Sequence, residues 1–203
     1  MRSFRSEKVS NFIKLLLDNN PQSARELYKE IRKDYPIFLT RDLNIAKAWI
    51  KEKARGTERY GMIASSGAKR LRKYGVWVQN KVEAEKWFLN SKNDIRSSYF
   101  LEETATEFDI QGLELDWTIV CWDANLRYDK DFEYYNFTGD SWKNINKDEI
   151  RTYLKNTYRV LLTRSRQGFI IFVPEGNSED ETMQPKFYDG VYDYLKEIGL
   201  EEI

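Results

Sequence analysis

The stretch Thr106–Asp123, TEFDIQGLELDWTIVCWD, decides how the rest of the chain is read. From Trp117 to Trp122 it is an apolar run interrupted only by Thr118, the pattern of a strand covered on both faces, as in a parallel sheet. Ahead of that run, Glu107, Asp109, Glu114 and Asp116 crowd around Gln111-Gly112, with Glu102 and Glu103 just upstream. Three readings are open at this point: a metal-binding nuclease centre, a nucleotide-binding turn, or a polar loop ahead of a buried strand.

Outward from this stretch, strands and helices alternate. After a Ser cap, Val9, Phe12, Ile13, Leu15, Leu16 and Leu17 recur at helical spacing between Ser6 and Asn19. A second helix is expected from about Ser23 to Arg32, then a short strand in PIFLT and a helix over Leu43–Lys53. Tyr60–Ala64 reads as a buried strand running into a Ser-Ser-Gly turn and a short basic helix ended by Gly75. SSYFLEETA and WTIVCWD read as two more strands, Asp148–Arg166 as a helix, GFIIFVP as a near-continuous apolar strand and Phe187–Ile198 as a closing helix. The polar, aromatic segment DFEYYNFTGDSWKNIN reads as an irregular insertion, about 124–147. The class is therefore α/β: a three-layer sandwich with a mainly parallel sheet flanked by helices, expected as a single domain over 1–203.

Composition narrows the chemistry. The 203 residues contain no histidine, which removes Ser-His triads, Cys-His pairs and the common zinc sites. Lys+Arg and Asp+Glu are equal at 33 each, so any nucleic-acid binding must come from a local patch. The lone Cys121 lies inside the apolar run and reads as a buried, inert thiol. No apolar segment approaches the roughly 20 residues needed to cross a bilayer, and MRSFRSEKVS lacks the apolar core of a signal peptide, so a soluble, cytoplasmic protein with no membrane partner is expected.

Four constellations bear on function. Glu114 and Asp116 would share one face of a strand, but two-metal nucleases often add a lysine, and none lies between Glu107 and Asn125. Gly112 in QGLELD lets the backbone approach a ligand or adopt a positive φ, and by itself means only a turn. Arg159, Arg164 and Arg166 are expected on a helix ending at the sheet edge where open parallel sheets bind ligands; they suit phosphate contact, or a solvated helix end favoured by the dipole. In RSFRS, Arg2–Ser6, two arginines bracket an aromatic before a helix.

In order, SFRS, IASSGAKRLR, TEFDIQGLELDWTIV and YRVLLTRSRQGFIIF resemble the second RecA-like motor domain of superfamily-one helicases, and more closely the Schlafen-type branch of helicase-like P-loop NTPases. There the fourth motif reads Asn-Tyr-Arg-Ser, the fifth His-x-x-Lys/Gln-Gly-Leu-Glu-Phe and the sixth Val-Ala-Leu-Thr-Arg-Ala. The resemblance spans Ser3 to about Pro174. It implies that Phe4 stacks on adenine, that Arg5 reaches the γ-phosphate, and that Gly112 and Glu114 lie at the nucleotide, the Glu near the ribose. Arg164 matches the sixth-motif arginine finger. Ser65, Ser66 and Thr106 fall where the family contacts the nucleic-acid backbone, with Lys69, Arg70 and Arg72 as a basic supplement. The fifth-motif His is Phe108 here.

No G-x-x-x-x-G-K-[ST] occurs, and no apolar strand ends in the Asp-Glu of a metal-holding second motif. The implied cofactor, ATP with Mg²⁺, then requires an upstream P-loop motor domain, and the isolated chain is expected not to hydrolyse ATP appreciably. The implied partners are that domain and single-stranded DNA or RNA. Two other readings stay open. One is an inert nucleic-acid- or protein-binding module using Lys69, Arg70 and Arg72 with exposed aromatics from Trp77, Trp87 or Tyr99. The other is a nuclease in which Glu107, Asp109, Glu114 and Asp116 converge on one ion.

Overall fold

The computed structural model describes residues 2–203, with side chains from Ser6 onward. Local sequence explains most element boundaries. Helix α1 (Arg2–Leu17) gives way to α2 (Pro21–Ile31) through Asn19 at φ 54° and Asn20, whose Oδ1 accepts from Ser23 N at 3.3 Å. Pro21 sits in the first turn, where its missing N–H is harmless. The sequence NNP thus both ends one helix and starts the next, so α2 begins two residues earlier than expected. Strand β1 (Ile37–Thr40) leads to α3 (Leu43–Lys53), capped by Asp42, whose Oδ1 accepts from Asn44 N at 2.7 Å. Strand β2 (Tyr60–Ala64) is followed by a 3-10 helix, Lys69–Tyr74, that stops at Gly75 in the left-handed region.

Next come α4 (Ala84–Leu89), β3 (Thr104–Thr106), β4 (Leu115–Cys121), β5 (Leu126–Asp129), β6 (Asp131–Thr138) and β7 (Ser141–Asn144). The chain closes with α5 (Asp148–Leu162), β8 (Ser165–Phe172), α6 (Lys186–Ile198) and β9 (Glu201–Glu202). Six strands form one parallel sheet in the order β3-β2-β4-β8-β1-β9.

Strand side chains divide between two cores. Ile37, Leu39, Ile63, Phe169 and Ile171 pack with Phe12, Leu16, Leu161 and Leu195, so α1, α2, α5 and α6 cover one face. Met62, Trp117, Ile119 and Phe172 pack with Ala46, Trp49, Ile50 and Leu71, so α3 and the 3-10 helix cover the other. The fold is α/β with the three-layer arrangement of a RecA-like sandwich. Within β4, Leu115 and Trp117 share parity yet enter different cores, because a register shift against β8 falls between them.

Three expectations are corrected. The segment about 124–147 is an antiparallel sheet, β5-β6-β7, held against α6 by the stack of Tyr128 on Tyr194 at 4.0 Å. Gly190 permits that closeness: a Cβ there would lie 1.9 Å from the Tyr128 carbonyl oxygen. SSYFLEETA is a 3-10 turn, Ser98–Phe100, followed by the short β3. The polar run wraps around Arg59, whose guanidinium donates to Trp87 O, Asn90 O and the Ser97 and Ser98 hydroxyls. Helix α5 ends at Leu162, not Arg166, because Ser165 already pairs with Leu115 in the sheet and holds the Tyr35 hydroxyl.

Candidate functional site at the two edges of the sheet

Parallel strands give the sheet two unlike edges, and the sequence-derived residues divide between them. At the amino edge, Gly112 takes φ +74° in a turn closed by Leu113 N donating to Ile110 O at 3.1 Å. No atom lies within 4 Å of where its Cβ would be, so the turn needs glycine for its backbone angle and not for space. Glu114 follows and accepts from Arg166 Nε at 2.9 Å across the mouth of β4 and β8. Arg164 occupies the turn between α5 and β8. Its carbonyl accepts from Leu115 N at 3.0 Å, while its Nη1 reaches Leu113 O at 3.5 Å.

The Arg164 guanidinium is poorly satisfied. Its Nε is buried without a hydrogen-bond partner, although the side chain as a whole is half-buried. A guanidinium carries five donors, and this one has a single long contact. Arg164 and Arg166 do not sit at the carboxyl edge, as expected from an α5 running to Arg166. They start β8, at the opposite end of the sheet. Arg159 lies one turn back on α5, where its Nη1 donates to Asn156 Oδ1 at 2.9 Å. Phe4 and Arg5 belong to the first turn of α1, and their side chains lie outside the described residues.

The carboxyl edge carries a buried polar network that the sequence did not reveal. Asp123 follows β4 and is wholly buried; its carboxylate accepts from Arg70 N at 3.0 Å, Ala124 N at 2.7 Å and the Tyr188 hydroxyl at 3.0 Å. Burial pushes its pKa up to about 6, against the pull of those donors. Asn125 accepts from the Tyr158 hydroxyl at 2.7 Å and donates to Ser65 Oγ at 3.0 Å. Glu107, also buried, accepts from Ser66 N and Ser66 Oγ, both at 2.8 Å, and from Thr157 at 3.5 Å. The available signal was Asp-x-Asn directly after a strand apolar on both faces.

That network consumes several residues expected to face a strand of nucleic acid. Ser65 is 1% exposed and Thr106 is 7% exposed, with the Thr106 hydroxyl donating to Asp109 Oδ2 at 2.7 Å. Lys69 Nζ donates to Phe137 O at 3.1 Å, and Arg70 pairs with Asp180 at 2.8 Å. Ser66, Lys69 and Arg70 remain partly open to solvent, and Arg72 lies exposed over the Trp77 ring at 4.0 Å. Trp87 and Tyr99 are core residues, so of the three aromatics only Trp77 reaches the surface. Phe108, in place of the family's His, is 54% exposed beside Glu107.

The four carboxylates of the nuclease reading do not converge. Glu107 serves Ser66, Asp109 caps Thr106, Glu114 pairs with Arg166, and Asp116 Oδ2 accepts from Arg59 N at 2.8 Å. Glu107 and Glu114 stand at opposite edges. Among the described residues no group of three or more His, Cys, Asp or Glu is placed to hold a metal ion. Nor is any helix of the described residues long and apolar enough to cross a membrane.

A search of curated proteins found no match. A family model described as Schlafen group 3, DNA/RNA helicase domain, matches residues 1–175 of the 203, a span that holds both sheet edges and every strand except β9. The chain belongs to the Schlafen group 3 DNA/RNA helicase domain family.

Proposed function

We propose that this chain works as the C-terminal, second RecA-like motor domain of an ATP-dependent DNA/RNA helicase-like enzyme, presenting Arg164 to a nucleotide held on a P-loop domain. The observation that carries the reading is the gathering of Gly112, Glu114 and Arg164 at the amino edge, with the Arg164 guanidinium left short of partners. An orphaned guanidinium nitrogen beside an open glycine turn fits a phosphate-bearing ligand. Bound ATP with Mg²⁺ supplies the phosphoryl group to be transferred. Arg164 would meet the charge on that group, Gly112 would let the backbone approach it, and Glu114, kept at the surface by Arg166, would take a hydroxyl. Arg5 and Phe4 would add a second cation and a stacking ring from the first turn of α1. The carboxyl edge, with Ser66, Lys69, Arg70 and Arg72, would follow single-stranded DNA or RNA, in a cytoplasmic protein.

The chain contains no phosphate-cradling G-x-x-x-x-G-K-[ST], so alone it is expected to be inert toward ATP. The test is ATP hydrolysis, with and without single-stranded DNA or RNA, in a protein joining this chain to a P-loop motor domain. Arg164→Ala is expected to lower kcat by about 10³-fold or more, the usual scale for an arginine finger. A variant with unchanged kcat would return the chain to the reading of an inert binding module.

A further inference from the structure

The segment from Glu175 to Pro185, EGNSEDETMQP, leaves β8 where the family match ends and lies against the carboxyl edge. It carries Glu179, Asp180 and Glu181 in succession. The segment is folded on itself: Asn177 N donates to Met183 O at 2.7 Å, Asp180 N to Asn177 O at 3.1 Å, and Gln184 Nε2 to Ser178 O at 3.0 Å. Trp142 Nε1 ties it to the β5-β7 sheet by donating to Thr182 O at 2.8 Å, and Met183 is wholly buried. This scaffold aims one carboxylate at Arg70.

The Arg70–Asp180 contact is one-handed. Asp180 Oδ2 takes Arg70 Nη2 at 2.8 Å, but Oδ1 is already held by Thr182 N at 2.9 Å and the Thr182 hydroxyl at 2.6 Å. The carboxylate therefore cannot swing to make the paired contact a guanidinium fork favours, and Arg70 Nε stays buried with no partner. Both side chains are a little over a quarter exposed, so the pair is reached from solvent. A phosphate, with its oxygens uncommitted, would take Nη2 in place of the carboxylate and could take Nε as well once the guanidinium, released from Asp180, turns toward solvent.

We infer that Asp180 regulates the carboxyl-edge strand site by holding Arg70 in place of a nucleic-acid phosphate, so that binding a single strand requires displacing this internal carboxylate. The inference rests on the proposed reading that a single strand follows this edge. Asp180 is the competitor; Glu179 and Glu181, both exposed, add only general negative charge.

The experiment is fluorescence anisotropy of labelled oligothymidine and oligouridine with the full chain, comparing wild type with Asp180→Asn, Glu181→Gln, Arg70→Ala and the Arg70→Ala/Asp180→Asn pair. Asn keeps the Oδ1 acceptor for Thr182, and Asp180→Ser, which retains a short acceptor, repeats the test if the first variant unfolds. Asp180→Asn is expected to tighten binding by about two- to fivefold, the scale of a partly exposed ion pair, while Glu181→Gln changes it little. Arg70→Ala should weaken binding, lower the salt slope by about one, and abolish the gain from Asp180→Asn. If Arg70→Ala weakens binding but Asp180→Asn does nothing, or does no more than Glu181→Gln, the inference falls and the strand reading stands. If no protein in the set binds either oligonucleotide, the strand reading falls and the inference with it.

Discussion

Replacing Asp123 with Asn should change how stability depends on pH, because a wholly buried carboxylate titrates differently in the folded and unfolded chain. Burial raises its pKa from the ordinary aspartate value of 3.8 to about 6 in the folded protein. The folded state thus binds this proton more tightly, so the contribution to stability is complete below the unfolded value and is lost as pH rises through the folded one. That difference corresponds to roughly 3 kcal/mol between the limits, of which roughly 2 kcal/mol falls between about pH 4.5 and pH 7. The Asn amide also turns a donor toward the Arg70 or Tyr188 donor, a penalty of about 1–3 kcal/mol that does not vary with pH. Urea unfolding of both proteins across this range separates the two effects. Wild type should lose about 2 kcal/mol relative to the variant on going from pH 4.5 to 7. A flat difference profile, or one of opposite sign, would mean that the three donors outweigh burial and would refute the reasoning.

Gly190→Ala should destabilise the fold by about 2 kcal/mol, lowering Tm by about 5 °C, because the new methyl would overlap the Tyr128 carbonyl where α6 meets β5. An unchanged or raised Tm in thermal unfolding would show that the sheet shifts freely away from α6. Cys121 is wholly buried and its thiol is pushed up to about 12, so an aromatic disulfide reagent at neutral pH should label it only as the chain unfolds. Labelling of folded protein faster than unfolding would contradict that burial. Because the Arg164 guanidinium makes one long contact and buries an unpaired Nε, Arg164→Ala should lower stability by no more than about 0.5 kcal/mol, so a loss of ATP hydrolysis cannot be traced to unfolding.

What the sequence made legible follows from where the contacts lie. Strand β4 was readable because burial on both faces leaves a run from Trp117 to Trp122 that is apolar except at Thr118, and α1, α3 and α6 because one buried face imposes helical spacing. The β5-β7 sheet was not, because its strands are fixed from outside the segment. Arg127 is sandwiched between Tyr135 of β6 and Phe187 of α6, and Tyr128 rests on Tyr194; Phe187 and Tyr194 lie some sixty residues further along. The end of α5 was misjudged for the same reason, since sheet pairing claims Ser165 against a pattern that continues as helix. In the candidate site, motif order brought Gly112, Glu114 and Arg164 together, which their spacing alone could not do. The hydroxyls of Ser65 and Thr106 looked like ligand groups because their internal partners, Asn125 and Asp109, show no pattern before the chain is folded.

The stretch that opened the question also joins the two edges. Thr106 and Glu107 are pinned at the carboxyl edge by Asp109 and Ser66, and seven residues later Glu114 is pinned at the amino edge by Arg166. Strand β4 then returns across the whole sheet, about 20 Å, to deliver Asp123 and Asn125 beside Ser65 and Arg70. One covalent segment therefore leaves the carboxyl edge, forms the glycine turn next to Arg164, and comes back as the central strand. In the proposed motor, nucleotide contacts at Gly112–Glu114 and strand contacts at Ser66 and Arg70 would be opposite ends of the same pinned loop. In that motor, a displacement at either end would reach the other through backbone held by hydrogen bonds at both edges. The carboxylates of this stretch, which first suggested a metal centre, are what fasten it: Glu107, Glu114 and Asp116 each bind a donor on a neighbouring element, Asp109 closes the turn on Thr106, and the fastening keeps the two edges in register.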